Sequence, residues 1–345
     1  MYKLSAALGT LVLIGAAATT AWATAPGQNG QLAFRRYLDS ARSTGPMFVA
    51  NADGSRVRQI THPAHGVVDQ EADWSPNGQK IAFERKTPCP TTGPRNGLDG
   101  TCDVVYTVRR DGSSLKALVA CDFAQRCHGV NTPAWSPDGS KIAYRYGLSN
   151  PSFVDSLNYD AGIWIAAANG KSPHQVTQLM PGTSWDTWPQ WSPDGSKLVF
   201  VREDLESKAN ALYTVKVDGT ELSQVTPWKL NGGQGPDWSP DMKWLVFTSE
   251  PANGSANVYE VHPDGSGLTN LTKQGPKGFH YLSSSFSPDG RMIVTARTPG
   301  AGPDGAADLV VMNVNGSHVR AITKTRLWES GVDWGPRIST DKKGD

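Results

Sequence analysis

The sequence predicts an all-β fold: a six-bladed β-propeller of four-stranded antiparallel blades, its ring closed by pairing of the N- and C-terminal strands. Three observations predict it. One phrase, AWSPDGSKIAYRYG from Ala134, recurs as DWSPNGQKIAFERK from Asp73, QWSPDGSKLVFVRE from Gln190, DWSPDMKWLVFTSE from Asp237 and SFSPDGRMIVTART from Ser285. A second phrase, MFVANADGSRVRQIT at 47–61, alternates with it and has versions beginning at Val105, Ile163, Leu212, Val258 and Leu309. Finally, the two ends complement each other: VDWGPR around Trp334 stops before its partner strand, and NGQLAFRR at 29–36 supplies that strand.

Each element follows from local chemistry. Residues 1–25 carry Lys3, the apolar run Ala6 to Ala18 and two small-residue patterns ending at Ala23 and Ala25. That is the layout of a secretory signal peptide, too short in its apolar run to anchor a membrane span. The expected product is periplasmic or secreted, cleaved near Ala23 or Ala25, with no stable membrane insertion. Residues 29–336 form the propeller and 337–345 a polar tail.

Within each first phrase an aromatic residue (Trp74, Trp135, Trp191, Trp238, Phe286) precedes Ser-Pro. Proline sets its own φ, and Asp or Asn followed by Gly tolerates unusual backbone angles, so a tight turn follows. Asp241-Met242 lacks the glycine and predicts a different turn geometry. In the second phrase, Asp-Gly or Asn-Gly between alternating strands is a strong hairpin signal. Two hairpins make a four-stranded unit, and its recurrence has the period of a propeller blade with insertions. The repeated aromatics are expected to pack between neighbouring blades.

Four cysteines in an exported chain read as disulfides. Cys89 and Cys102 bracket one polar loop and Cys121 and Cys127 another, which favours two local pairings, although three pairings are open. Thirty-three basic residues balance thirty-two acidic ones, which argues against a nucleic-acid partner. Thirty-six glycines and 24 prolines, without a sustained helical period, fit frequent turns between strands.

The alternation of W-S-P-D-G-x-K-I-A-F with I-Y-x-x-x-x-D-G-x-x-x-x-L-T resembles the WD40-like repeats of the TolB-type β-propeller family. The resemblance covers residues 29–336. TolB has a separate α/β domain ahead of its propeller, whereas here only about five residues separate the signal peptide from the first blade strand. What the resemblance implies is a monomeric, non-catalytic module of the cell envelope that binds a protein or peptide. A Pal-like peptidoglycan-associated lipoprotein is the first partner it suggests, and no cofactor is required.

Function must lie where the copies differ. Long variable connections such as 86–103, 145–162, 202–210 and 297–308 are expected on one face of the disc, opposite the tight turns. Ahead of each aromatic, a column of Asp69, Asp186, Glu329 and Tyr281 stands five residues upstream, joined by Glu71 and Asn131, with Trp185, His280 and Trp328 one place earlier. In a six-fold ring these positions are expected to converge on the mouth of the central channel. Carboxylates there suit a divalent cation, Ca²⁺ better than Zn²⁺, or a basic group, and the tryptophans suit a sugar or cation. The alternative is therefore an enzyme, a metal-assisted lyase or hydrolase acting on a carbohydrate or lactone at that mouth. No G-x-S-x-G, H-E-x-x-H or Walker-type motif occurs. The sequence therefore leans toward a binding module without catalytic residues.

Overall fold

The computed structural model describes residues 27–88, 101–119, 127–149, 159–178, 182–249, 255–274, 278–299 and 305–338. The expected signal peptide, the tail beyond Ile338, Cys89 and Cys121 lie outside these residues. So do parts of three of the variable connections. Cys102 and Cys127 are buried.

Among the described residues, twenty-four strands fall into five sheets, four of four strands and one of eight, and the chain is an all-β propeller with antiparallel sheets. Six innermost strands carry the repeated aromatics, five ending on them and β24 two residues past Trp334: β4 (Val68–Trp74), β8 (Cys127–Trp135), β12 (Ser184–Trp191), β16 (Gly232–Trp238), β20 (Phe279–Phe286) and β24 (Glu329–Pro336). Each contacts the next, and β24 contacts β4. Next to them run β1 (Asn29–Arg36), β5 (Lys80–Pro88), β9 (Lys141–Ser149), β13 (Lys197–Asp204), β17 (Leu245–Ser249) and β21 (Met292–Pro299). β24 pairs with β1 in antiparallel register, Leu32 opposite Trp334 and Arg36 opposite Glu329.

The sheet count departs from six separate blades. Strand β10 (Tyr159–Ala167) makes one parallel pairing, Ala161 with Trp185 on β12, and that contact merges two four-stranded units into the eight-stranded sheet. The other strands of those units pair only within their own unit.

The repeated phrase is a hydrogen-bonding device. In each of five turns the serine after the aromatic donates to the Asp or Asn two residues on, from Ser75 to Asn77 Oδ1 (2.8 Å) through Ser287 to Asp289 Oδ1 (2.6 Å). The same hydroxyl accepts from the backbone three residues further along, as from Lys80 N at 2.9 Å. Met242 corrects the expectation of a different geometry. It adopts φ 64°, close to Gly78 at 65° and Gly195 at 71°, and donates to Ser239 O at 2.9 Å as the glycines do. The hydrogen bonds and flanking strands hold a methionine in a region that costs an ordinary residue about 1 kcal/mol.

The threonine closing the second phrase is equally structural. Thr61, Thr177, Thr226, Thr272 and Thr323 each accept from the backbone N–H fourteen residues earlier at 2.8–3.2 Å. The aromatics Trp74, Trp135, Trp191, Trp238, Phe286 and Trp334 are all at most 5% exposed, and each joins a core cluster that spans two neighbouring units.

Candidate functional site

An innermost propeller strand turns its backbone edge to the axis and sends side chains alternately toward the two neighbouring units. The predicted carboxylate column obeys that rule and so misses the mouth. Asp69, Asp186 and Glu329 have no exposed surface, and each meets the arginine opposite it on the next strand. Arg85 Nε and Nη2 donate to Asp69 at 2.6 and 2.8 Å. Arg202 does the same to Asp186 at 2.7 and 2.8 Å. Arg36 Nε donates to Glu329 Oε1 at 2.6 Å, and Thr323 Oγ1 donates to Oε2. Each guanidinium also lies 4.7–4.8 Å from the centre of an aromatic ring on the third strand, Tyr106, Tyr213 or Phe48. Burial raises the Asp186 and Glu329 carboxyls, against the pull of the Arg202 guanidinium on one and of Thr323 and Arg36 on the other.

The remaining predicted residues are similarly occupied. Tyr281 is 2% exposed within the core, and His280 is buried, its Nδ1 accepting from Ala256 N at 3.3 Å. Asn131 is buried and donates to Asp103 Oδ2 at 3.4 Å. Trp185 carries Arg145 at 5.5 Å and Lys208 Nζ at 5.9 Å from its ring, while Arg42 stacks at 3.7 Å on Trp328. Tyr281, His280 and Asn131 are thus buried, whereas Trp185 and Trp328 remain partly exposed beneath their cations.

Glu71 is the exception. Three residues before each aromatic, every innermost strand breaks its alternation with a left-handed residue: Glu71 (φ 52°), Thr132 (48°), Trp188 (48°), Gly235 (56°), Ser283 (44°) and Gly331 (61°). Register shifts in all six strands mark these positions as β-bulges. A bulge adds one residue and re-aims its neighbourhood. All six bulge residues line a common axial cavity of about 50 Å³. A water requires about 10–15 Å³ of such space, whereas small-molecule sites run to about 300–1,000 Å³. The cavity has room for a few waters at most. Burial raises the Glu71 carboxyl, opposed by Arg35 and by a hydrogen bond with the Trp188 side chain.

Below the bulges, residues just before the aromatics tie each inner strand to the next. Asp333 Oδ2 accepts from Trp74 N (2.8 Å), Asp73 Oδ2 from Trp135 N (2.7 Å) and Asp237 Oδ2 from Phe286 N (2.8 Å). Ser285 Oγ accepts from Trp334 N at 3.4 Å. At the other two junctions the indole itself donates, Trp191 Nε1 to Ala134 O (3.1 Å) and Trp238 Nε1 to Gln190 O (3.3 Å). Burial raises Asp73 well above its usual range, with repulsion from Asp333 adding to it. The bulge and junction columns mix residue types, so the sequence carries no chemical signal for them. A break in strand alternation at a fixed distance from each aromatic is the signal that marks them.

A second buried network spans the β1–β5 region. Arg35 donates to Ser330 Oγ and to Gln70 Oε1, and Gln70 Nε2 donates to Glu84 Oε1 at 2.9 Å. Burial, then repulsion from Asp103, pushes the Glu84 carboxyl up to about 8. Among the described residues no group of three or more His, Cys, Asp or Glu is arranged to hold a metal ion.

The family model of the TolB beta propeller domain matches residues 105–340. The chain belongs to that family. TolB from Acinetobacter baumannii has a similar fold, with a TM-score of 0.66 at 17% identity over 89% of this chain and 67% of that one. Among curated relatives, an uncharacterized peptidase of Bacillus subtilis, YuxL, is 30% identical over 112 residues, 32% of this chain and 16% of its own. Dipeptidyl-peptidase 5 of Porphyromonas gingivalis is 28% identical over 102 residues, 29% of this chain and 14% of its own. This chain thus spans about a sixth or less of the length of those two peptidases.

Proposed function

We propose that this TolB-family chain is a non-catalytic binding module of the cell envelope that docks a protein or peptide on its surface. One observation carries the reading: three of the four predicted mouth carboxylates, Asp69, Asp186 and Glu329, are sealed in arginine pairs, and the axial cavity of about 50 Å³ that Glu71 lines has no room for a substrate. Chemistry at the mouth would require breaking those pairs, which leaves recognition to the outer surface.

In this reading the sheets form a closed ring of six blades. Support comes from the single parallel pairing that joins the eight-stranded sheet and from the six inter-strand ties just described. The protein works in the periplasm or outside the cell, where its cysteines pair as disulfides. A Pal-like lipoprotein is the first partner to offer it. No helix among the described residues is long and apolar enough to cross a membrane.

A photo-crosslinking residue at exposed Glu206, on the connection after β13, and another at exposed His318, on a tight turn, test the reading. Crosslinking to the purified lipoprotein or to an envelope protein from Glu206, with none from His318, is expected. No crosslink from either position, together with turnover of a glycan or lactone, would replace the reading with the enzyme one. Metal content before and after chelation tests whether a divalent cation belongs to the mouth.

A further inference from the structure

The blade closed by β24 and β1 differs from the others. Elsewhere a covalent Ser-Pro-Asp or Ser-Pro-Asn turn joins the strand of the aromatic to its neighbour; here two separate segments meet. Gly335 stands where the repeat has its serine, and Arg337 where it has Asn77, Asp138, Asp194, Asp241 and Asp289. Neither the hydroxyl nor its acceptor is present to build the turn. What remains is a groove of about 680 Å³, bounded by Asn29–Gln31, Pro336–Ile338 and two neighbouring hairpin turns.

Its charge is not what the repeat requires. Three arginines line it, Arg337 from the seam, Arg56 from the turn between β2 (Met47–Asn51) and β3 (Arg58–Gln59) and Arg110 from the turn between β6 (Thr101–Arg109) and β7 (Lys116–Val119), against one carboxylate, Asp53. At the position of Arg56 the other copies have Ser114, Ser172, Glu221, Gly267 and His318, so the cation there is peculiar to this copy. Asp53, whose Oδ1 accepts from Ser55 N at 2.8 Å, sets one negative charge against three positive ones and so leaves the lining net cationic. Among the described residues the Arg56 and Arg110 side chains have no hydrogen-bond or ion-pair partner, and Arg337 Nη1 donates only to Gln28 Oε1 at 2.9 Å. By contrast, Arg36, Arg85 and Arg202 are committed to carboxylates and Arg58 to two backbone carbonyls.

We propose that the seam groove binds an organic anion carrying two or more carboxylates, from an acidic peptide or a free polycarboxylate. Guanidinium forks match carboxylates bidentately, and several cations lining one groove select a ligand with more than one anionic group. The groove is separate from the axial cavity and from the surface assigned to a protein partner.

Calorimetric titration of the full chain with citrate, and separately with a tri-glutamate peptide, tests this. Saturable binding of at least one probe is expected, weakening as salt rises. The double variant Arg56→Ala/Arg110→Ala should weaken it at least about tenfold, and Arg56→Lys/Arg110→Lys by less, since charge survives but the fork does not. Lys208→Ala removes one positive charge from the connection after β13 and should leave binding unchanged. An unchanged melting temperature for the arginine variants separates lost binding from lost folding. The preferred probe identifies the source of the carboxylates. No saturable binding of either probe, or equal weakening by Lys208→Ala, overturns the proposal.

Discussion

The sheet carrying Asp69 and the sheet beginning at β16 have the same strand order and turn chemistry but opposite interiors at one position. In the first, Asp69, Arg85 and Tyr106 run across three strands as carboxylate, guanidinium and ring. In the second, Gly233 stands in the carboxylate's column and the register slips past it, while Ser249 donates to Leu230 O. Both sheets form. The ion pair is therefore one local way to fill a position that the fold leaves open. Its recurrence at three positions reflects packing between strands, which a column of aligned acids does not distinguish from a ligand site.

The comparison breaks most visibly if the pair is halved. Asp186→Ala strands a buried Arg202 and should cost about 3–5 kcal/mol in urea unfolding, whereas replacing both residues by leucine should recover most of that loss. A double variant as unstable as the single one would show that the charge pair is required for more than filling space.

A smaller effect tests the polar network beside Asp69. The Glu84 carboxyl rises from 4.5 to about 8 on folding, so between those values the folded chain retains a proton that the unfolded chain has released. Its contribution is fully present below pH 4.5 and lost as pH rises through about 8, a fall of a few kcal/mol at most. Urea midpoints at acid and alkaline pH should show the decline, and Glu84→Gln should flatten it.

The junction ties come next. Asp333→Ala removes the acceptor for Trp74 N and Trp334 N, both at 2.8 Å, and should cost about 1–3 kcal/mol. The smallest change sharpens the contrast between turns: Met242→Gly should raise stability by up to about 1 kcal/mol, because the φ of 64° is then unstrained. A loss of stability would mean that the Met242 side chain packs usefully against its surroundings.

Much of the fold was legible in the sequence because its determinants are local. Ser-Pro-Asp-Gly and Asp-Gly specify turns, and the matching ends at NGQLAFRR and VDWGPR pointed to the β24–β1 pairing. The candidate site was largely illegible. Placing Asp69 and Glu329 at the mouth assumed that inner-strand side chains five residues before the aromatic face the axis, whereas the axial cavity is lined by the bulged residues and those just after them. The merger of two units through Ala161 and Trp185 is a single long-range pairing with no sequence signature.

The β24–β1 seam also bears on the order of events in folding. Arg36 and Glu329 are 293 residues apart, so their encounter requires closing nearly the whole chain, at an entropic cost of roughly 5 kcal/mol before any contact rewards it. Every other pairing of neighbouring strands within a unit spans far fewer residues. The seam is thus the slowest contact to find, and β1 must wait for the last strand of the chain before it gains its inner partner.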